Sequence, residues 1–340
     1  MQELLNYNKI TLVGYYGKSN LGDDMMLESI LKALPNHEVK ILAFGNLDSV
    51  ISNYKNVREV FVWPNSKVKK VQAFLAAIKG SEAIVWGGGT CFTDEDGDGF
   101  FKYMPLGKLL GKKIIYSGIG VGNLSKRNRK AKANYLIKIS DFLSLRDENS
   151  YAYVRSIRKS DKNILLVEDL SMKYLESKYS KKEKVEKKES VLLIGWRNLD
   201  KYKNTTIGNN LRPLLKLIDI VVLEKRISQI ILIDVDSSFD REINIKLSEM
   251  LNEKYRDIEI NHFKEESLQD KLNYVEFSSV VITSRLHLAV ICDYLDIECY
   301  MYNYSPKMKS LFDGSSSHNL KLIDKKFDLN NDIKVNLSEA

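Results

Sequence analysis

Short apolar runs rich in β-branched residues recur along this chain, and most give way within a few residues to apolar positions at helical spacing. Strands are expected over 9–14, 39–44, 59–63, 83–86, 113–117, 142–145 and 163–167. Helices are expected from Met25 up to Pro35 and over 68–78, 127–139 and 150–157. Runs that are apolar throughout, rather than alternating, belong to strands buried on both faces. Their alternation with helices predicts a parallel sheet covered on both sides. Residues 178–189, KYSKKEKVEKKE, break the rhythm with a charge-rich, apolar-poor stretch that reads as a linker. A second series follows, with strands over 190–196, 230–234, 258–263, 280–283 and 299–302 and helices over 209–223, 241–254, 268–277 and 288–295. The fold class expected is α/β with two Rossmann-like domains facing a cleft. The domains are residues 1–177 and 190–314, joined by the linker 178–189 and followed by a tail, 315–340, with little pattern. A length of 340 residues suits two such cores.

Bulk properties exclude several classes. Lys and Arg number 52 against 45 Asp and Glu, and this mild excess is spread along the chain with no nucleic-acid-binding motif. An anionic small substrate or an anionic membrane surface fits the balance as well as nucleic acid does. Three cysteines, Cys91, Cys292 and Cys299, have no CxxC spacing, which argues against a disulfide framework or a zinc site and for a reducing compartment. The opening MQELLNYNKITLVGYYG has no basic region followed by an apolar one, and no apolar run approaches about 18 residues. A cytoplasmic protein is the simplest expectation.

Candidate chemistry gathers where strands end. Gly14–Gly22 places glycines between a strand and a helix, the right context for anion capture by backbone N–H groups, with Asp23 as a candidate N-cap. The loop is neither GxGxxG nor a P-loop, and a tight turn that uses glycine for steric reasons explains it equally well. Gly87-Gly88-Gly89-Thr90 closes another strand and leads into Asp94, Asp96, Asp98 and Gly99, which match the start of an EF-hand loop. Pro105 stands where that loop requires a bidentate Glu, so calcium is rejected; an acidic loop able to accept hydrogen bonds from sugar hydroxyls and a merely solvated loop both remain. Gly118-Ile119-Gly120-Val121-Gly122 is read as following a strand. Arg146 and Arg197 each end a strand, and Arg suits forked contacts with carboxylate or phosphate, the alternative for Arg146 being a surface pair with Asp147 or Glu148. Thr283-Ser284-Arg285-Leu286-His287 turns a buried strand directly into a helix, and Ser305-Pro306-Lys307 follows the next strand. Arg, His and Lys on neighbouring loops would form an anion site with a titratable ring at its centre, His having an ordinary pKa near about 6.5; the alternative for His287 is a satisfied core histidine at a helix start. His37, His262 and His318 lack such company and are read as structural or exposed, and Cys292 as buried packing.

The ordered set GYYGKSNLGDD (14–24), GGGTCFTD (87–94), LSLRDENS (143–150), SRLHLAVICDYLDI (284–297) and NYSPKM (303–308) resembles the polysaccharide pyruvyl transferase family. The resemblance implies a GT-B-like fold and transfer of pyruvate from phosphoenolpyruvate to a hexose of a bacterial cell-surface polysaccharide or its lipid-linked precursor, as a ketal. It implies that Arg146, Arg285 and Lys307 hold the donor's phosphate and carboxylate, and that His287 is the general acid and base. Further substrate contacts are expected from Gly17, Asn20, Gly22 and Asp23, from Gly88, Gly89, Thr90 and Asp94, and from Arg197, Ser284 and Leu286. The partners implied are phosphoenolpyruvate and a hexose-containing glycan, with no cofactor, metal or nucleic acid, and with peripheral membrane association left open. Two alternatives remain: a GT-B glycosyltransferase using a nucleotide sugar, with Glu266 or Glu276 on the ribose, and a non-catalytic glycan- or anion-binding relative.

Overall fold

A computed structural model describes residues 1–94, 97–179, 190–199, 211–264 and 266–323. The chain divides into two compact units, Met1–Ser180 and Lys181–Ala340.

In the first unit a short 3-10 helix, Gln2–Asn6, precedes β1 (Lys9–Val13), α1 (Leu21–Ala33), β2 (Glu38–Ala43), α2 (Asp48–Ile51), β3 (Val57–Val62) and α3 (Lys67–Ile78). There follow β4 (Ala83–Gly87), β5 (Thr90–Phe92), α4 (Met104–Leu109), β6 (Lys113–Val121), α5 (Arg127–Ile139), β7 (Phe142–Leu145), α6 (Glu148–Arg158), β8 (Ile164–Leu166) and α7 (Leu170–Lys178). The sheet runs β3-β2-β1-β4-β6-β7-β8, with β5 paired to β6, and every pairing is parallel. Phe74 and Ile78 of α3, Met104 of α4, Leu136 of α5 and Val154 of α6 share one core, so these four helices cover one face. Met26 and Ile30 of α1 and Leu170 of α7 fill the core on the other face. The order of the strands reverses between β1 and β4, the place where an open α/β sheet leaves a crevice at its carboxyl edge.

The second unit comprises β9 (Val191–Gly195), α8 (Arg212–Glu224), β10 (Gln229–Ile233), α9 (Ser237–Lys254), β11 (Glu259–Phe263), α10 (Leu268–Phe277), β12 (Val280–Thr283), α11 (Leu286–Leu295), β13 (Glu298–Tyr302), α12 (Pro306–Gly314) and β14 (Leu320–Ile323). Its parallel sheet, β11-β10-β9-β12-β13-β14, reverses between β9 and β12.

Several expectations need correction. Asn20, not Asp23, caps α1, accepting the Gly22 N–H at 3.2 Å; Asp23 lies in the first turn. Gly118 and Gly120 lie inside β6, because Thr90 of β5 pairs with Gly120 and carries the strand past Ser117. The tail is not patternless from 315: β14 extends the second sheet, and as an edge strand of partly exposed residues it lacks the long apolar run that marks a central one. α7 was not anticipated. Asp169 caps it, accepting the Ser171 N–H at 2.9 Å, and it buries only Leu170, Tyr174 and Leu175 among its larger apolar groups. The expected linker lies outside the described residues except for Lys178, which ends α7, and Tyr179.

The GYYG turn after β1 is held by contact between two backbones. Gly17 has φ +77°, and a Cβ there would stand 2.5 Å from the Gly45 carbonyl oxygen. A Cβ at Gly45 would in turn strike the Gly17 carbonyl. Gly17→Ala is therefore expected to destabilise the first unit by about 1–3 kcal/mol, read as a lower midpoint in urea unfolding. An unchanged midpoint would show that the turn relaxes freely.

Candidate active site

β12 is buried throughout, three aliphatic residues and Thr283, because it lies inside the second sheet between β9 and β13, and the chain turns from it straight into α11. Two hydroxyls lock this turn to the end of β9. Thr283 Oγ1 donates to the Gly195 carbonyl at 2.9 Å and accepts the Arg285 N–H at 2.8 Å, while Ser284 Oγ accepts the Arg197 N–H at 2.8 Å. Ser284, expected to contact substrate, is thus buried and fastens the Arg197 backbone to the junction.

Arg285 is the N-cap residue of α11 and its side chain is 8% exposed. Nη1 donates to Asp240 Oδ1 and Nη2 to Asp236 Oδ2, each at 3.2 Å. The fork expected to grip a donor anion therefore holds two carboxylates of the chain itself. Asp236 caps α9, and Asp240, in the first turn of that helix, accepts the Asp236 N–H at 2.9 Å through its other oxygen. Burial pushes the Asp240 carboxyl up to about 7; Asp236 adds to the rise, while Arg285 and Arg197 oppose it. For Arg285, burial works against the charge, but Asp240 and Asp236 outweigh it and raise its pKa.

The Arg197 guanidinium lies 4.4 Å from the centre of the Phe239 ring. One strand over, Asp234 at the end of β10 accepts from Asn244 at 3.0 Å and Arg241 at 3.3 Å and lies 2.8 Å from His262 Nε2. Burial alone would raise the Asp234 carboxyl, and these partners lower it. His262 is thus structural. Leu286 and His287, the first two residues of α11, are half-buried, and Lys307 is exposed in the first turn of α12. β12 and β13 are paired with Thr283 opposite Met301, so the loops carrying His287 and Lys307 are neighbours at one sheet edge.

In the first unit Arg146 follows β7. Its Nη1 meets Asp169 Oδ2 at 2.7 Å and its Nη2 donates to Thr90 Oγ1 at 3.0 Å. Gly120 makes room for it, since a Cβ there would lie 3.0 Å from Arg146 Nε. Gly88 and Gly89 both have positive φ and pack beside Met26, and the Gly89 N–H points at the Met26 sulfur at 3.1 Å. Asp23 stands beside Gly89, with an Oδ1 3.4 Å from where a Cβ of Gly89 would be. Gly22 is buried in the first turn of α1 behind its Asn20 cap. Asp94, expected to meet sugar hydroxyls, is buried and accepts from the Ser125 N–H and hydroxyl at 2.7 and 2.6 Å and from the Lys126 N–H. Against the effect of burial, those bonds hold its carboxyl below the usual range. Asp96 lies outside the described residues.

Among the described residues no group of three or more His, Cys, Asp or Glu could hold a metal ion. Cys292 is buried, and burial, with Cys299 beside it, pushes its thiol well above the ordinary value, which leaves it packing rather than attacking. The sequence reading missed Asp236, Asp240 and Asp169, the carboxylates that hold the two arginines. The available signal was the pair Asp234 and Asp236 directly after an apolar strand.

The family model for polysaccharide pyruvyl transferase matches residues 20–306. The chain belongs to this family. The matched span holds Arg146, Arg197, Arg285 and His287 and stops one residue before Lys307. A search of curated proteins found no match. Among solved structures, the UDP-GlcNAc 2-epimerase of Methanocaldococcus jannaschii is similar to this pyruvyl transferase family member at TM-score 0.65 and 12% identity, covering 97% of this chain and 91% of that one. The S. aureus MnaA–UDP structure is similar at TM-score 0.63 and 13% identity, over 97% of this chain and 86% of that one. The Neisseria meningitidis UDP-GlcNAc 2-epimerase bound to UDP-GlcNAc follows at TM-score 0.61 and 10% identity, over 97% and 91%. At such identities the likeness concerns the fold: α/β, with two Rossmann-like units of the GT-B class.

Proposed function

We propose that this transferase moves the pyruvyl group of phosphoenolpyruvate onto two hydroxyls of a hexose in a cell-surface glycan or its precursor. The observation that carries the reading is the R-L-H junction. It sets the His287 ring at the N-terminus of α11, anchored by Arg285 on Asp236 and Asp240, at the carboxyl edge of the second sheet and its point of strand reversal, within the span matched by the family.

The donor is a small, multiply charged anion. Lys307, Arg197 and the N–H groups opening α11 would hold it, with Arg285 fixed in place by Asp236 and Asp240. In the reaction His287 protonates the donor's methylene carbon, which becomes a methyl group and leaves an oxocarbenium-like carbon. One sugar hydroxyl attacks that carbon and loses its proton, the C–O bond to phosphate breaks, and the second hydroxyl closes the ketal as its proton is lost. The methyl group retains one proton, and phosphate leaves with the balance. General acid–base assistance of this type contributes about 10²–10⁴-fold.

The test is phosphate release from phosphoenolpyruvate across galactose, glucose and N-acetylmannosamine glycosides. Acceptor-dependent release with one of them is expected. No release with any, together with thermal stabilisation by nucleotide sugars and not by phosphoenolpyruvate, would replace this reading with the nucleotide-sugar one. That second reading is favoured by the UDP and the UDP-GlcNAc bound in two structures of similar fold.

A further inference from the structure

Three of the helices on one face of the first sheet carry charge of a single sign. α3, α4 and α5 contain nine Lys or Arg residues and no Asp or Glu. On the opposite face α1 has three acids and one base and α7 one acid and two bases, and α6 on the same face carries Glu148, so charge of one sign belongs to these three helices and not to the unit. Lys67, Lys69, Arg127, Lys130 and Lys138 are exposed and form no ion pair with an acid among the described residues. The three helices lie side by side. Phe74 of α3 packs at 5.3 Å, ring to ring, on Tyr103, which caps α4, and α4 and α5 are in contact.

Large apolar side chains protrude among these charges. Leu109 is 83% exposed, Val68 68%, Leu110 48%, Tyr135 46%, and Val71 and Leu75 40% each. Val68, Val71 and Leu75 follow helical spacing, so α3 has an apolar stripe facing outward as well as Phe74, Ala77 and Ile78 facing the core. Among the described residues no helix is long and apolar enough to cross a membrane. Cationic side chains interleaved with protruding aliphatic ones suit a surface that is anionic at the level of headgroups and apolar just beneath.

We propose that the outer surface of α3, α4 and α5 docks on the anionic headgroup region of a lipid bilayer, with Val68 and Leu109 entering the interface. A nucleic acid would satisfy the lysines but leave the aliphatic groups facing phosphates. The inference concerns binding alone and does not depend on the donor or the acceptor.

The experiment is flotation of the full chain with vesicles of phosphatidylcholine alone and of phosphatidylcholine with phosphatidylglycerol. The chain is expected to float with the anionic vesicles only, and less so as salt rises. Lys67→Gln, Lys69→Gln and Lys130→Gln together should lower the partition coefficient by about 100-fold, at about fivefold per charge. Val68→Ser with Leu109→Ser should lower it several-fold with the fold intact by circular dichroism, as both side chains are exposed. Failure of the wild-type chain to float with anionic vesicles overturns the proposal. So does equal flotation of wild type and both variants, or retention on heparin by a chain that ignores vesicles.

Discussion

His287→Ala is expected to lower acceptor-dependent phosphate release by about 10²–10⁴-fold while leaving the thermal unfolding midpoint close to that of the wild type. The side chain sits in the first turn of α11 and is half-buried, whereas the packing of that helix rests on Leu288, Ala289, Ile291 and Cys292, all buried. The loss should fall on kcat rather than on donor affinity, because His287 is assigned the proton and the cations are assigned the anion. Single-turnover rates on His287→Ala and equilibrium binding of phosphoenolpyruvate separate the two. A variant that forms pyruvylated product at the wild-type rate would remove His287 from the mechanism. A variant that loses donor binding and retains its rate at saturation would make it an anion ligand instead.

Arg285→Leu should have the largest effect on stability. It leaves Asp236 and Asp240, 8% and 0% exposed, facing each other without the guanidinium that joins them. Breaking a buried pair from one side costs about 3–5 kcal/mol, to be read from the urea transition of the second unit. The effect depends on pH. The folded Asp240 carboxyl titrates at about 7, whereas an unfolded Asp loses its proton near about 3.9. Between these values the folded state keeps a proton that the unfolded state has lost. The stabilising contribution is therefore fully present below about 3.9 and is lost as pH rises through about 7. Wild-type stability should fall from about pH 5 to about pH 8 by more than that of Asp240→Asn, which cannot ionise. Arg285→Leu should likewise be worse at the higher pH, and Asp240→Asn in the same chain should recover part of the loss. Parallel pH profiles for wild type and Asp240→Asn would show that Asp240 is ionised throughout.

The sequence by itself determined the architecture. Apolar runs such as Val280–Thr283 and helical patterns such as Leu268–Phe277 and Arg127–Ile139 mark elements whose bounds coincide with those observed. Burial on both sides of a parallel sheet demands uninterrupted apolar strands, and that demand is local and visible in the residues. The ordered motifs also determined the family, since the matched span contains most of them. Elements that bury little were less legible: the edge strand Leu320–Ile323 and the helix Leu170–Lys178 depend on neighbours, not on their own pattern. Which side chains meet was decided by tertiary structure alone. Arg285 and Arg146 read as cations open to a ligand, yet Asp236, Asp240 and Asp169, 49, 45 and 23 residues away, are their immediate partners. Asp94 reads as able to meet sugar hydroxyls, and its immediate partners are Ser125 and Lys126. Charge and residue type are properties of the chain. Pairing depends on which strand ends the sheet order brings together, and no local pattern encodes that.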